Sequence, residues 1–416
     1  MAARDKLVQI RTLRRQTNTQ SSIGSGFFVS DDGLVITNYH VISQLALEPE
    51  RQRAVLVAVD GQETPVNIVA IDVLHDLALL RVAPPKARAA ADGAAASDAP
   101  ASAPAHYAAL PLRPSTASLS EGERIFSLGN PMDVGFAITE GTYNGLVQRS
   151  FYPRIFFGGA LNPGMSGGPA IDTQGRVVGV NVAKRVGAEQ VSFLVPVQFV
   201  DALLQSARNA APLKGAAHAE VTRQLMQHQQ TLSDRVLAGP VRTERYGPYH
   251  VLVPAEALAR CWGDGRDRSS ESRMDFERSQ CRVDSEVFTG DGDVGGLGMR
   301  YEAYDAPRLS PWQFAYTYSQ SFANEPLRKS GNRVRTGMEC RESFVAGPDK
   351  LPLRAVMCLS AYRKFSGLYD LTVLAVSVDQ PQKGILGRLN VSAVSFDNAQ
   401  RLSTHFLQGF ASEGQP

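Results

Sequence analysis

Residues 24–42 read GSGFFVSDDGLVITNYHVI: two β-rich apolar runs separated by turn residues and followed at once by a histidine, His40. Outward from this stretch the same texture repeats. AVLVAVD (54–60), VNIVAID (66–72), DLALLRV (76–82), RIFSLG (124–129), GRVVGVNV (175–182) and VSFLVPV (191–197) are short apolar runs punctuated by Gly, Pro and Asn. Many short strands with turn signals between them argue for a β-barrel or sandwich, and against a parallel α/β sheet. The texture holds from about Lys6 to Val200.

A chain of 416 residues exceeds the size at which one hydrophobic core stops growing, so two domains are expected. A net charge of +2, with no long basic run and no interleaving of aromatic and basic residues, makes nucleic acid an unexpected partner. No apolar run reaches the roughly 18 residues a membrane span needs. The opening MAARDKLVQIRTLRR has charge but no apolar centre, so it does not read as a signal peptide. The expectation is either a cytosolic protein or one whose leader has been removed. Cysteine use favours the second. All 4 cysteines, Cys261, Cys281, Cys340 and Cys358, lie in the second half and lack the CxxC spacing of zinc sites. Two disulfides, and hence a periplasmic or secreted protein, are expected; four buried thiols in the cytoplasm are the alternative. Of the three possible connectivities, the sequence-local one pairs Cys261 with Cys281 and Cys340 with Cys358, because each pair falls in or beside adjacent expected strands.

The chain divides into a β-rich domain over residues 1–205, a connecting helix within 206–240 and a second domain over 241–416. Inside the first, residues 83–109 are dominated by Ala and Pro and read as a surface loop, too poor in large apolar residues to offset the entropy of ordering. From about Leu213 to Leu237, Val221, Leu225, Leu232 and Val236 fall on one helical face, and Gly239-Pro240 stops the helix. In the second domain HVLVP, RMDFER, CRVDSEVF, MRYEAY, QFAYTYS, LPLRAVMCLSAYR and LYDLTVLAVSVD read as strands. Phe396, Ala399, Leu402, Phe406 and Phe410 then mark a closing amphipathic helix. The expected architecture is an α+β antiparallel sheet with a packed helix.

Three segments carry candidate chemistry: Thr37-Asn38-Tyr39-His40-Val41, His75-Asp76-Leu77, and Asn162-Pro163-Gly164-Met165-Ser166-Gly167-Gly168-Pro169. Alone, each has a bland reading as a structural histidine, a turn aspartate or a tight Gly-Pro turn. Together they give His, then Asp, then Ser within one β-rich stretch, the chymotrypsin order of a catalytic triad. A serine hydroxyl is a weak nucleophile that needs a base to take its proton. His40 would be that base and later the acid for the leaving amine, and Asp76 would fix the imidazole tautomer and stabilise its charged form. Acidic residues are not clustered with histidines at metal-ligand spacing, so no metal and no cofactor are expected.

The stretch from about residue 6 to 200 resembles the HtrA/Deg branch of bacterial trypsin-like serine proteases. GSGFFVSDDGLVITNYHVI, DLALLRV, GNPMDVGFAITEGTYNGLV, LNPGMSGGPAIDTQGRVVGVNVA and VSFLVPV follow that family's strand and loop order. The resemblance implies a mainly β, chymotrypsin-like double barrel with the site between the barrels, and a triad of His40, Asp76 and Ser166. By position in the motif, the backbone N–H groups of Gly164 and Ser166 would form the oxyanion hole. Ala160 and the run Val180-Asn181-Val182 would line the substrate pocket. With no acidic residue there, a small or medium apolar side chain is expected before the cleaved bond. Two departures stand out: Met165 where the family usually has Asn or Asp, and Phe157-Gly158-Gly159 where it has Thr-Asp-Ala. The Met165 side chain is expected to point away from the nucleophile, and His75 is read as a surface neighbour of Asp76.

No segment of the second half reads as the peptide-binding PDZ domain that HtrA-type enzymes usually carry. Gly296-Leu297-Gly298 and Thr289-Gly290-Asp291-Gly292-Asp293 read as turns; the latter lacks the spaced ligands and distal Glu of a calcium loop. Asn390-Val391-Ser392 is a chance match to a glycosylation acceptor. The expected function is a serine endopeptidase acting on protein or peptide substrates, in exported protein quality control or processing. The alternative is a binding, scaffold or chaperone-like protein whose second domain acts while the protease shell is idle.

Overall fold

Six short strands close the first barrel in the computed structural model, which describes residues 4–83, 106–130, 135–184, 191–265, 273–325, 327 and 330–413. They are β1 (Leu7–Arg14), β2 (Gln20–Phe28), β3 (Leu34–Thr37), β4 (Gln52–Val57), β5 (Glu63–Asp72) and β6 (Leu77–Val82), paired in the order β1-β2-β3-β6-β5-β4. Pairing of β1 with β4 completes the ring and leaves no open edge. The second barrel repeats the order: β7 (Arg124–Gly129), β8 (Ala137–Leu146), β9 (Ile155–Phe157), β10 (Pro169–Ile171), β11 (Val177–Lys184) and β12 (Ser192–Pro196) run β10-β11-β12-β9-β8-β7. Phe27, Ile36, Leu77 and Leu79 are fully buried in the first, and Ile125, Phe157, Ala170 and Leu194 in the second. Helix α1 (Tyr39–Leu47) follows β3, and α2 (Val197–Ala207) follows β12. The mainly β double barrel is therefore the architecture of this part of the chain. Most of the Ala/Pro-rich segment 83–109 lies outside the described residues.

The chain forms two units. The first comprises Met1–Gln148, Tyr152–His218 and Phe288–Gly290; the second comprises Arg149–Phe151, Ala219–Val287 and Asp291–Pro416. The helix expected from about Leu213 to Leu237 is α3 (His218–Ala238), and it belongs to the second unit instead of standing apart as a connector. Its apolar face explains this: Val221, Leu225, Leu232 and Val236 are all buried. His228, on the same helix, has Nε2 3.0 Å from the Gly295 carbonyl, and Asn398 Nδ2 donates to Gln229 Oε1 at 2.8 Å.

The second unit is built on a seven-stranded antiparallel sheet. Its order is Arg260–Gly265, Asp275–Val283, Leu297–Asp305, Lys383–Val394, Tyr369–Ser377, Pro352–Ala361 and Glu339–Ala346. Cys261 lies directly opposite Cys281, and Cys340 directly opposite Cys358, each pair with 4.0 Å between Cα atoms and joined as a disulfide. Expected strands RMDFER and CRVDSEVF are redistributed: Asp275–Val283 runs through both, and Val287–Phe288 is a separate short strand.

The expected strand QFAYTYS is instead helix α4 (Pro311–Ala323). Ser310 and Gln313 form a reciprocal capping box and Pro311 takes the first helical position, which together start a helix strongly. Phe314, Tyr318 and Phe322 then fall four residues apart and are buried together with Leu374, Val376 and Leu386. Because neighbours along a strand point to opposite faces, Gly387 faces away from α4. A Cβ there would come within 2.3 Å of Phe410, just beyond helix α5 (Phe396–Gln408). The sheet is thus covered by α4 on one face and by the closing helix on the other.

Candidate active site

The partnership of β3 and β6 creates the first half of the site. Thr37, the last residue of β3, pairs with Ala78 near the start of β6, so the chain leaving β3 and the chain entering β6 must meet. His40 lies in the first turn of α1, and Asp76 closes the turn between β5 and β6 with a positive φ of 56°. His40 Nδ1 lies 2.7 Å from Asp76 Oδ2, and the His40 backbone N–H donates to Asp76 Oδ1 at 2.9 Å. Asn38 Nδ2 donates to the Asp76 carbonyl at 2.8 Å. The carboxylate is thus held by both oxygens, which fixes the imidazole with Nδ1 protonated and leaves Nε2 as the basic nitrogen. Burial pushes the His40 pKa down, but the charge of Asp76 and its hydrogen bond outweigh burial and raise it.

The second half is the loop between β9 and β10. Gly164 and Gly167 both take left-handed φ values, 94° and 85°, which a side chain would strain. A Cβ on Gly167 would also lie 2.2 Å from the Ser25 carbonyl. Around this turn, Ser25 N–H donates to the Ser166 carbonyl at 2.7 Å, Met165 N–H to Asn162 O, Gly167 N–H to Asn181 O and Gly168 N–H to Met165 O. Among the described residues the N–H groups of Gly164 and Ser166 have no acceptor. Two unengaged donors flanking Met165 in a tight turn are what an oxyanion requires.

The Ser166 hydroxyl donates to the Val182 carbonyl at 2.9 Å. That carbonyl is available because the β11–β12 register slips between Asn181 and Ala183, leaving Val182 as the bulged residue. The structure therefore brings His40 and Asp76 together, whereas the Ser166 hydroxyl is engaged with the Val182 carbonyl. Catalytic hydrogen bonds often tighten only when substrate binds.

The residues expected to line the pocket separate into different roles. Val180 is fully buried among barrel side chains, and Ala160 is exposed. Asn181, fully buried, is a strut: its Oδ1 accepts from Ser127 Oγ at 2.8 Å, and its Nδ2 donates to the Leu128 and Met165 carbonyls at 3.0 and 3.2 Å. Of these four, Val182 accepts a hydrogen bond from the Ser166 hydroxyl through its carbonyl. Met165 is buried with Ile125, Phe157, Leu161 and Leu194, so the apolar replacement suits an apolar setting. Phe157 is core as well, its ring packed so closely on Gly159 that a Cβ there would lie 2.4 Å away. His75 is no free surface neighbour: it stacks on Phe199 at 3.7 Å between ring centres and has Nδ1 2.7 Å from Asp72 Oδ2.

Sequence reasoning missed Ser25, whose buried hydroxyl donates to the Gly164 carbonyl at 2.7 Å and accepts from Asn130 N–H at 3.0 Å. Its GSG setting was visible, but a serine in a strand gives no sign that it anchors a loop more than a hundred residues away.

With the geometry set out, the relatives fall into place. Residues 24–180 match the model of the trypsin-like peptidase domain. Over this stretch the first unit is similar to trypsin-like peptidase domains, and the relatives it matches carry Do-like and DegP-like protease names. The chain is 28% identical over 292 residues to the chloroplastic Protease Do-like 1 of Arabidopsis thaliana, covering 64% of this chain and 59% of that one. It is 30% identical over 188 residues to a DegP-like protein of Marinomonas sp. (strain MWYL1), whose name makes it a periplasmic serine endoprotease; the match covers 44% of this chain and 34% of that one. Among solved structures, Deg5 aligns with 26% identity and a TM-score of 0.38, over 48% of this chain and 87% of that one. The chain spans 34% and 59% of the length of these two curated relatives. The fold itself rests on the two closed barrels of the first unit.

Turns weighed as other sites have structural partners. Asp291 Oδ1 lies 3.4 Å from Arg333 and its Oδ2 3.6 Å from Lys364 Nζ. Among the described residues no group of three or more His, Cys, Asp or Glu is placed to hold a metal ion.

Proposed function

We propose that the chain is a serine endopeptidase that hydrolyses peptide bonds through an acyl-enzyme, with His40, Asp76 and Ser166 as its triad. The observation that carries this reading is the double hold of Asp76 on His40, opposite a glycine turn with two unengaged N–H groups. Ser166 Oγ would leave the Val182 carbonyl, give its proton to His40 Nε2 and attack the substrate carbonyl carbon. The N–H groups of Gly164 and Ser166 would take the negative oxygen that forms. His40 would then protonate the leaving amine, and water would release the acyl group by the same steps in reverse order of roles. Ser166 and then water serve as nucleophiles and His40 shuttles the protons between them and the leaving groups, so the reaction needs no cofactor.

The substrates would be proteins or peptides with a small or medium apolar residue before the cleaved bond. We place hydrolysis in residues 1–205 and assign the disulfide-containing part, 241–416, an accessory role beyond the helix within 206–240. Two disulfides and the periplasmic relatives support an exported protein, periplasmic or secreted. Among the described residues no helix is long and apolar enough to cross a membrane. The test is a fluorophosphonate probe on the full chain. Wild type should label at Ser166 and cleave casein, and Ser166→Ala should do neither, with hydrolysis down by about 10⁴-fold or more. Undiminished cleavage by Ser166→Ala would remove the triad assignment; no labelling of wild type would favour the idle-shell alternative.

A further inference from the structure

Far along the sequence from the barrels, the tripeptide Phe288-Thr289-Gly290 belongs to the first unit. It rests on α1, the helix that presents His40. Tyr39 OH donates to the Thr289 carbonyl at 3.3 Å, and Thr289 is buried. Gly290 has a φ of 99°, a conformation that a side chain would strain, and it lies against the helix, where a Cβ would come within 2.8 Å of Leu47 Cδ1. With its backbone fixed on this side, Phe288 sets its ring perpendicular to the His40 imidazole, 88° between planes and 6.5 Å between centres. The Phe288 ring is half-buried. One part of it is covered, and the remainder is apolar surface beside the group that handles the proton.

We propose that Phe288 is a specificity-determining residue of the peptidase site: its ring walls the cleft at His40 and selects an apolar side chain next to the cleaved bond. This rests on the serine peptidase reading above. The physical case is simple. A substrate whose carbonyl carbon is reached by Ser166 must place its leaving nitrogen within hydrogen-bond distance of His40. The residues flanking that bond then pass within a few ångströms of the imidazole. An aromatic ring standing edge-on there offers them apolar contact area on a side chain with only two rotatable bonds. A polar flanking side chain would lose water against it and gain no hydrogen bond. The four residues expected to line the pocket leave room for such a contribution, since Val180 and Asn181 are buried and Ala160 is exposed.

The experiment uses the full chain and a peptide library varied at the residues on each side of the cleaved bond and the residue preceding them. Wild type should prefer apolar over polar side chains at one of these positions. Phe288→Gln, of similar length but polar, should reduce that preference about tenfold. Phe288→Leu should keep it, and Phe288→Trp should move it toward smaller side chains. The change should appear in KM more than in kcat, because a wall contacts substrate before and during the reaction alike. A loss of packing alone would lower all substrates together and would not move Leu and Trp in different directions. Labelling of wild type by the fluorophosphonate with profiles unchanged in all three variants overturns the Phe288 assignment alone. Absence of labelling and cleavage in wild type overturns the peptidase reading, and this one with it.

Discussion

The two units use their buried polar side chains for different ends. In the first, Ser25, Thr37, Asn38 and Asn181 direct their hydrogen bonds to backbone carbonyls beside the site: Gly164, Ser25, Asp76, and Leu128 with Met165. In the second, buried amides, hydroxyls and carboxyls such as Gln229, Asn398, Ser360 and Glu302 are joined by several buried phenols. Tyr301 OH donates to Leu252 O at 3.0 Å, Tyr318 OH to Ile385 O at 2.7 Å and Tyr249 OH to Asp379 Oδ1 at 2.8 Å, and burial pushes all three phenols well above their ordinary pKa. A small hydroxyl or amide can sit inside a barrel and hold a loop in place with little bulk of its own. A tyrosine fills a core and settles its one polar atom at the far end. The first unit thus fixes the geometry of irregular turns, whereas the second fixes a sheet, with two cross-strand disulfides added.

If that contrast is right, the largest effects on catalysis come from small polar changes in the first unit. Asp76→Asn keeps the size of the side chain but can no longer hold the charged imidazole or dictate its tautomer. We expect a fall in kcat of about 10⁴-fold with the fold retained, measured on a short peptide with far-UV circular dichroism as the control. Tyr301→Phe in the second unit removes a hydroxyl of comparable burial. It should cost about 1 kcal/mol of stability in urea unfolding and leave the short-peptide kcat/KM unchanged. Equal losses of activity in the two variants would break the comparison.

The next effects are on stability. Met165→Ala empties a buried site among Ile125, Phe157, Leu161 and Leu194, and should cost roughly 2–5 kcal/mol, read from the urea midpoint. Because Met165 lies between Gly164 and Ser166, this variant should also lose activity below its unfolding midpoint. Removing the Cys340–Cys358 bridge, which spans 18 residues, should cost about 3 kcal/mol and lower the melting temperature of the second unit. Fluorophosphonate labelling of Ser166 should survive that change. Labelling lost with the bridge would show that the two units do not divide the labour as proposed.

How much of this could be read from the sequence depends on the same physics. The barrels were legible where strands are short, apolar and bounded by turn residues, as in Leu34–Thr37 and Leu77–Val82. Strand β8 was not, because much of its surface is exposed and its residues are small and polar. The histidine, aspartate and serine stood out because triad chemistry permits few residue types. The residues that hold them, Ser25 and Asn181, did not, because their partners are distant backbone atoms that leave no mark in the sequence. The error at Gln313–Ser319 has a local cause. Aromatic-rich QFAYTYS looks β-like by propensity, but the cap at Ser310-Pro311 and the four-residue spacing of Phe314, Tyr318 and Phe322 outweigh it. For the expected pocket residues burial was the part the sequence did not show: Val180 packs in an apolar cluster and Asn181 is tied to Ser127, Leu128 and Met165.

The smallest effect, and the one that separates the units most directly, concerns two histidines shifted in opposite directions. For His40 burial lowers the pKa, but Asp76 raises it by charge and hydrogen bonding, so it ends above the ordinary value of 6.5. For His228 burial lowers the pKa and the Arg235 charge lowers it further, while the hydrogen bond with the Gly295 carbonyl raises it only in part, so it ends below 6.5. Linkage then sets the signs. The charged His40–Asp76 pair stabilises the first unit below pH 6.5, and that contribution is lost as pH rises through the raised pKa. Neutral His228 is accommodated above pH 6.5, and stability of the second unit is lost as pH falls from there toward the lowered pKa. Catalysis adds a second sign: the base must be neutral, so kcat/KM should rise with pH through a midpoint above 6.5. Hydrogen exchange read separately for peptides of each unit, at pH 5, 6.5 and 8, should show protection around His228 falling on acidification. Protection around α1 and the β5–β6 turn should hold or increase over the same range. His228→Gln should remove much of the acid sensitivity of the second unit without moving the midpoint of kcat/KM. A shift of that midpoint in His228→Gln would mean that the two histidines are coupled, and the contrast between the units would fail at its finest grain.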